Sequence, residues 1–213
     1  MANQLLVRRR LFGEVRDIRE FIQPDSAAVQ MVAATIPEGD PWEMLYSTWK
    51  AVTDRITYPS AQPYDYHFAA ALAGRGGGGI KVWEKVPMLR QDATNDYWNF
   101  PAESLAMGVD DCEGTSFTVC SILRHWLSPQ QVYVLMGLWR GKGWPIAHAW
   151  VQVVAGDGSR WRLETTQKPV SVASIVPDGP PYEEWLRFND VELEVLRPGL
   201  VEDNFQTRAR IGA

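Results

Sequence analysis

The stretch Gly108-Val109-Asp110-Asp111-Cys112-Glu113-Gly114-Thr115 constrains this chain most. It sets a cysteine where a loop turns into an apolar helix. Behind it Phe117, Val119, Cys120, Ile122, Leu123, Trp126 and Leu127 recur at near-helical spacing. Cys112 is therefore predicted in the first turn of a helix whose later turns pin it into the core. Asp110 or Asp111 can serve as N-cap, accepting a hydrogen bond from an otherwise unpaired backbone N–H. The helix N-terminus carries partial positive charge, which favours thiolate over thiol. A nucleophilic cysteine needs that environment. The competing reading is a small buried hydrophobe, as free cysteines commonly are.

The rest of the composition narrows the classes. With 213 residues the chain suits one sizeable domain. A net charge of -5 gives no electrostatic footprint for nucleic acid. Arg8, Arg9 and Arg10 cluster, but Glu14, Asp17 and Glu20 soon offset them. No apolar run is long enough to span a bilayer, so no membrane partner is expected. Met1 to Phe12 shows no extended apolar region followed by small residues, so no secretory signal is read and a cytoplasmic location is expected. The two cysteines, Cys112 and Cys120, share the predicted helix. Eight residues separate them by about 12 Å along its axis, beyond the reach of a disulfide. Two free thiols fit a reducing compartment. Ten tryptophans suggest a core and a cleft rich in indoles.

In chain order, Val7 to Gly13 reads as an edge strand or ordered arm. Ser26 to Ile36 reads as a short helix. Asp40-Pro41 opens a clear helix, with an N-cap and a proline at its first position. Trp42, Leu45, Tyr46, Trp49, Val52 and Ile56 line one face of it, which ends near Tyr58-Pro59. Gly76 to Gly79 is a loop that lacks the residues of a phosphate cradle. Nearby His67 is a loop histidine or a cleft residue. Ala102 to Gly108, led into by Tyr97 to Pro101, reads as a short helix closed by glycine. Three strand candidates follow: Gln131 to Trp139, Ile146 to Val154 and Arg160 to Thr166. Gly156-Asp157-Gly158-Ser159 turns the last two into a hairpin. The sum is an α+β chain in which N-terminal helices and the cysteine helix pack on an antiparallel sheet. Residues 1–40 form an arm and short helix, 41–176 the core, and 177–213 a C-terminal docking segment and tail.

His148 lies on the second strand and Glu164 on the third. A hairpin turning at Asp157-Gly158 sets them close to opposite each other. Opposed Cβ atoms stand about 4.5–5.5 Å apart, right for a carboxylate accepting from an imidazole N–H. The other ring nitrogen then faces Cys112 across the junction of sheet and helix. A base for the thiol proton, and a carboxylate that fixes its tautomer, are the parts of an activated nucleophile. A developing oxyanion would meet the backbone N–H of Cys112, with Trp98 or Gln91 as second donor. A satisfied cross-strand histidine is the plainer reading of His148, and a carboxylate paired with Arg162 or Arg160 that of Glu164. His125 sits roughly 20 Å along the helix and cannot reach Cys112.

These residues also carry a resemblance. Asp111-Cys112-Glu113-Gly114 at a helix start, His148-Ala149-Trp150-Val151 on one strand and Trp161 to Thr166 on the next resemble the transglutaminase-like cysteine protease superfamily. Trp98 to Glu103 resembles its bacterial proteinases in particular. The resemblance spans roughly Pro41 to Thr166. It implies a papain-like α+β fold with Cys112 as nucleophile, His148 as general base and acid, and Glu164 as orienting acid. The family's third member is most often Asp, and here it is Glu. Some bacterial relatives bind calcium through acids flanking the cysteine, positions matched by Asp111 and Glu113; no cofactor is otherwise implied. The expected activity is cysteine hydrolysis of an amide bond in a peptide or protein through a thioester. Protein-glutamine acyl transfer or deamidation by the same triad is one alternative. An inactive scaffold that binds a protein partner is the other. Oligomeric state is not legible.

Overall fold

The computed structural model describes residues 5–8, 15–58, 64–68, 83–87, 98–141 and 145–198. Strands β1 (Leu6–Arg8) and β2 (Val15–Asp17) pair antiparallel as a small ribbon. Helices α1 (Ala27–Ala33) and α2 (Pro41–Thr53) follow, then the two-stranded pair β3 (Tyr64–Phe68) and β4 (Trp83–Pro87). Helices α3 (Pro101–Met107) and α4 (Cys112–Leu123) lead into strands β5 (Val132–Trp139), β6 (Ile146–Val154), β7 (Arg160–Leu163), β8 (Val176–Pro177), β9 (Tyr182–Phe188) and β10 (Leu193–Val195). The six strands form one antiparallel sheet in the order β10-β9-β5-β6-β7-β8. Helices α1, α2 and α3 gather around α4, and α4 lies on β5 and β6. The expected α+β architecture, with the cysteine helix on an antiparallel sheet, is what the chain adopts.

The helix starts are set by sequence. Asp40 Oδ1 accepts from the N–H groups of Trp42 and Glu43, and Pro41 follows it. At α3, Pro101 again opens the helix, and Glu103 Oε2 takes the Phe100 N–H at 2.8 Å. Gly108, at φ 69°, closes it.

Helix α4 departs from the amphipathic pattern. All its residues are buried, including Thr115, Ser116, Thr118 and Ser121. Phe117, Ile122 and Leu123 are fully enclosed, each worth about 1.5–3 kcal/mol of burial. The helix is a central post wrapped by the sheet and three helices. Its hydroxyls find partners: Thr118 donates to Gly114 O at 2.8 Å, and Ser121 Oγ accepts the Gln23 N–H at 2.8 Å.

The sheet is larger than a three-strand meander. Tyr182–Phe188, read from sequence as a docking element, is a strand beside β5. The adjacent Glu183 and Glu184 break the apolar alternation and conceal it. Trp185, Leu186 and Phe188 nevertheless bury on this strand. The third expected strand is also shorter, ending at Leu163 rather than Thr166, because Glu164 to Gln167 closes a turn (Gln167 N–H to Glu164 O, 3.1 Å).

The loop before Cys112 is held from both sides. Thr57 N–H donates to Gly108 O at 3.0 Å and Asp110 N–H to Thr57 O at 3.3 Å. The buried Asp110 accepts from Asn99 Nδ2 at 3.0 Å, from Ser104 Oγ at 2.5 Å and from the Asp111 N–H at 2.9 Å. Its carboxylate lies over Gly114, where a Cβ would stand 1.9 Å from Oδ2. The glycine of the Asp-Cys-Glu-Gly run is thus explained by close approach. Since Asp110 is already fastened, it cannot swing away. Gly114→Ala is expected to cost about 1–3 kcal/mol. Urea denaturation should show a lower midpoint at unchanged slope, and an unchanged midpoint would mean the loop relaxes without cost.

Candidate active site

Cys112 opens α4 and is 7 % exposed. Asp111 holds the N-cap position without a capping bond from its side chain. The thiol donates to Glu113 Oε2 at 2.9 Å, and Ala149 of β6 lies close enough for its backbone N–H to favour the thiolate. The residue before Ala149 is His148. The cysteine and the histidine strand are therefore in contact, with the thiol proton directed to Glu113 in this state. One turn on, Ser116 Oγ and Thr165 Oγ1 are hydrogen-bonded at 2.8 Å, and Thr115 Oγ1 reaches Thr165 at 3.3 Å. Thr165 follows Glu164, so α4 is tied to both strands that carry the other candidate residues.

The structure brings His148 and Glu164 together. Nε2 stands 3.0 Å from both Oε1 and Oε2. The register differs from the one expected. Val151 faces Leu163 at the end of the β6–β7 ladder. Glu164 is the next residue, in the turn that ends β7, and His148 lies three residues beyond Val151 on β6. The pair therefore meets on a diagonal, bridged by the long glutamate side chain.

Tyrosines complete the surroundings, and sequence reasoning assigned neither of them to the site. Tyr182 donates to Glu164 Oε2 at 2.5 Å, and Thr166 Oγ1 donates to Oε1 at 2.7 Å. The Tyr182 ring lies 6.0 Å from the His148 ring and 5.0 Å from Trp150. Tyr58 is half exposed, and the Thr57 bridge sets it beside the cysteine loop. Its phenol is pushed up by burial and by the charges of Cys112, Asp111, Glu113 and Glu164. No spacing in the sequence signals either: Tyr58 is placed by the Thr57–Val109 bridge and Tyr182 by β9 lying two places from β6 in the sheet.

Other candidates fall elsewhere. Trp98 is buried edge-on against Phe21 at 5.6 Å and Phe117 at 5.3 Å, beside the cysteine helix. His125 follows the far end of α4 and packs against Trp126. Gln91 and the run Gly76 to Gly79 lie outside the described residues, and His67 falls on β3.

The electrostatics oppose a resting thiolate. Burial pushes the Cys112 thiol well up, the Glu113 and Asp111 charges and the Glu113 bond add to this, and the Ala149 N–H opposes them. Glu164 moves the other way. Burial raises its carboxyl, but the bonds from His148, Tyr182 and Thr166 together with the His148 charge outweigh it, and the net displacement is downward.

Calcium takes 6–8 oxygen ligands. Asp111 and Glu113 supply two carboxylates, and Glu113 is engaged by the thiol. Among the described residues no group of three or more His, Cys, Asp or Glu could hold a metal ion. No step is derived through calcium. No described helix is long and apolar enough to cross a membrane.

No family model matches this chain, and no curated protein does. Among solved structures it is similar to LapG of Legionella pneumophila, at 14% identity over 88% of this chain and 98% of that one, with a TM-score of 0.47. EGTA-treated LapG gives 15% identity over 82% and 86%, with a TM-score of 0.46. Calcium-bound LapG gives 14% over 90% and 100%, with a TM-score of 0.44. At these values they are likenesses only, and the site's own geometry carries its chemistry.

Two outcomes follow from the charges. Glu113→Gln removes a carboxylate that raises the thiol, so iodoacetamide should alkylate Cys112 several-fold faster at pH 8; an equal rate would show that Glu113 does not hold the proton. Glu164 is depressed in the fold, so its stabilisation is present above the ordinary value of 4.5 and is lost as pH falls through the lower folded value. The stability gap between wild type and Glu164→Gln should therefore be widest near pH 7 and shrink toward pH 3. A gap independent of pH would mean that Glu164 is not ionised in the fold.

Proposed function

We propose that this chain is a cysteine hydrolase that opens an amide bond in a peptide or protein through Cys112, His148 and Glu164. One observation carries the reading. Helix α4, which Cys112 opens, lies on β6 and bonds Thr165, the residue after Glu164, through Thr115 and Ser116, while His148 of β6 spends Nε2 on Glu164 at 3.0 Å. Nδ1 is then the ring nitrogen left to act as base. The motif resemblance to transglutaminase-like cysteine proteases supports the same assignment. In this reading residues 41–176 hold the nucleophile and its partners, and the following segment contributes Tyr182.

The mechanism begins with Cys112 leaving Glu113, so that its proton passes to His148 Nδ1 as sulfur attacks the carbonyl carbon. The oxyanion that forms is met by the Cys112 backbone N–H at the start of α4. His148 then gives its proton to the departing amine as the carbon–nitrogen bond breaks, which leaves an acyl thioester on sulfur. Water, losing one proton to His148, attacks the thioester; as the carbon–sulfur bond breaks His148 returns that proton to sulfur, so the thiol is regenerated and the acid product leaves, ionising in solvent. Glu164 stabilises the imidazolium in both halves. An amine in place of water would make the reaction acyl transfer. A glutamine side chain as substrate, with water, would make it deamidation.

The thiol bonded to Glu113 favours a second reading, a scaffold that keeps the fold and binds a protein partner. A peptidyl acyloxymethyl ketone separates the two, because its capture needs a working Cys–His pair. Wild type should be labelled at Cys112, and His148→Ala should lose at least about 100-fold in labelling rate. Equal labelling of the two proteins would remove His148 from the mechanism, and no labelling of either would favour the scaffold. Intact-mass analysis of casein incubated with and without a primary amine then distinguishes cleavage, amine incorporation and deamidation.

A further inference from the structure

The Glu164 carboxylate is held by more than the histidine. Oε1 accepts from the Thr166 hydroxyl at 2.7 Å and from its backbone N–H at 3.3 Å, and Oε2 accepts from the Tyr182 hydroxyl at 2.5 Å. His148 Nε2 is equidistant from the two oxygens, so its N–H bisects the carboxylate. The phenol comes from β9, which the sheet order separates from β7 by β5 and β6. Its ring is fixed in turn. The Arg162 guanidinium lies 3.8 Å over it, and Trp150 meets it edge-on at 5.0 Å. Arg162 is anchored on Gly179 O at 3.1 Å and Asp178 Oδ1 at 3.4 Å.

We infer that Tyr182 is a positioning residue whose hydroxyl, with that of Thr166, clamps the Glu164 carboxylate so that His148 is fixed as the Nε2–H tautomer with Nδ1 turned to base duty. This rests on the hydrolase reading for its purpose, but the clamp itself is independent of it. The need follows from the side chain. Glutamate has one more rotatable bond than aspartate, and here it spans a diagonal between strands. Unheld, its carboxylate would sweep an arc, and His148 would take either tautomer. Two hydroxyl donors, one on each oxygen, leave the carboxylate a single orientation toward Nε2. Among the described residues, Tyr58, from the segment after α2, also feels the Glu164 charge, and Arg162 and Asp178 act on Tyr182.

The chain has three histidines, His67, His125 and His148, so long-range proton–nitrogen spectra of imidazole-labelled protein are simple to read. The His148 signals are assigned by their loss in His148→Ala. In wild type the neutral ring should be the Nε2–H tautomer. Tyr182→Phe keeps the ring and its Arg162 contact, and should convert His148 to a mixture of tautomers. Labelling of Cys112 by the ketone at pH 7 should fall about 3- to 10-fold, a fraction of what one hydrogen bond to a charged group is worth because Tyr182 acts through Glu164 and His148. The acid limb of its pH profile should move upward, because a carboxylate that loses a donor protonates more readily. Thr166→Val should act in the same direction through the other oxygen. An unchanged tautomer in both variants overturns the clamp, and so does a tautomer mixture already present in wild type. A tautomer that shifts in a protein whose wild type is never labelled upholds the clamp and removes the hydrolase reading instead.

Discussion

The structure depends on a helix buried on every side. A helix with one solvent face sends its polar residues to water. Helix α4 has no such face, so each of its hydroxyls must be matched inside the protein, at about 1–3 kcal/mol for any left unmatched. The matches decide where the helix sits. Ser121 takes the Gln23 N–H from the N-terminal segment, and Ser116 and Thr115 take Thr165 from the turn after β7. Apolar burial supplies most of the energy, but it is non-directional. The hydroxyls set the register of α4 along the sheet. That register puts Cys112 on Ala149 and Glu164 within reach of His148. Position of the nucleophile is thus a consequence of core polar pairing well away from the sulfur.

The resting thiol follows from magnitudes. A helix N-terminus stabilises an adjacent anion by about 0.3–1 kcal/mol, and by about 2 in favourable geometry. Removing a charge from water costs several kcal/mol, and two neighbouring carboxylates add repulsion. At Cys112 burial comes first and Glu113 second, so the helix end is outweighed. The expectation of a favoured thiolate counted the attractive term and lacked the burial. A nucleophile stored as a thiol is unreactive toward stray electrophiles. In the proposed hydrolase, activation would fall to His148 at the moment a substrate displaces the Glu113 contact.

What the sequence disclosed was local. Asp40-Pro41, Gly108 and the turn at Asp157-Gly158 act through backbone rules of a few residues, and they placed α2, the end of α3 and the β6–β7 hairpin. The His148–Glu164 partnership was legible because a hairpin converts spacing into proximity. What escaped was long-range. Tyr182 reaches Glu164 only because β9 returns to lie beside β5, a pairing that no spacing of residues announces. Tyr58 joins the site through a bridge from Thr57 to Val109. Glu183 and Glu184 hid the strand itself, since their charges mimic a loop. The completely buried face of α4 was hidden for the opposite reason. Threonine and serine read as polar, although in a helix they bury readily once a hydroxyl partner is found.

The glutamate at position 164 follows from the diagonal. Directly opposed cross-strand residues stand about 4.5–5.5 Å apart and diagonal ones about 7–8 Å. Glu164 lies just past the end of the β6–β7 ladder and His148 three residues beyond its last pair on β6, so the two are not directly opposed and the carboxylate must cover a longer gap than in an opposed pair. One methylene beyond aspartate extends the reach and adds a rotatable bond. Reach without restraint would leave the imidazole without a fixed partner direction. The restraint here comes from Thr166, carried by the same turn that ends β7 early, and from Tyr182, carried by a strand across the sheet. The short β7, the diagonal register, the longer acid and the two hydroxyls are therefore one arrangement. Changing any one of them alone leaves the others without their geometry.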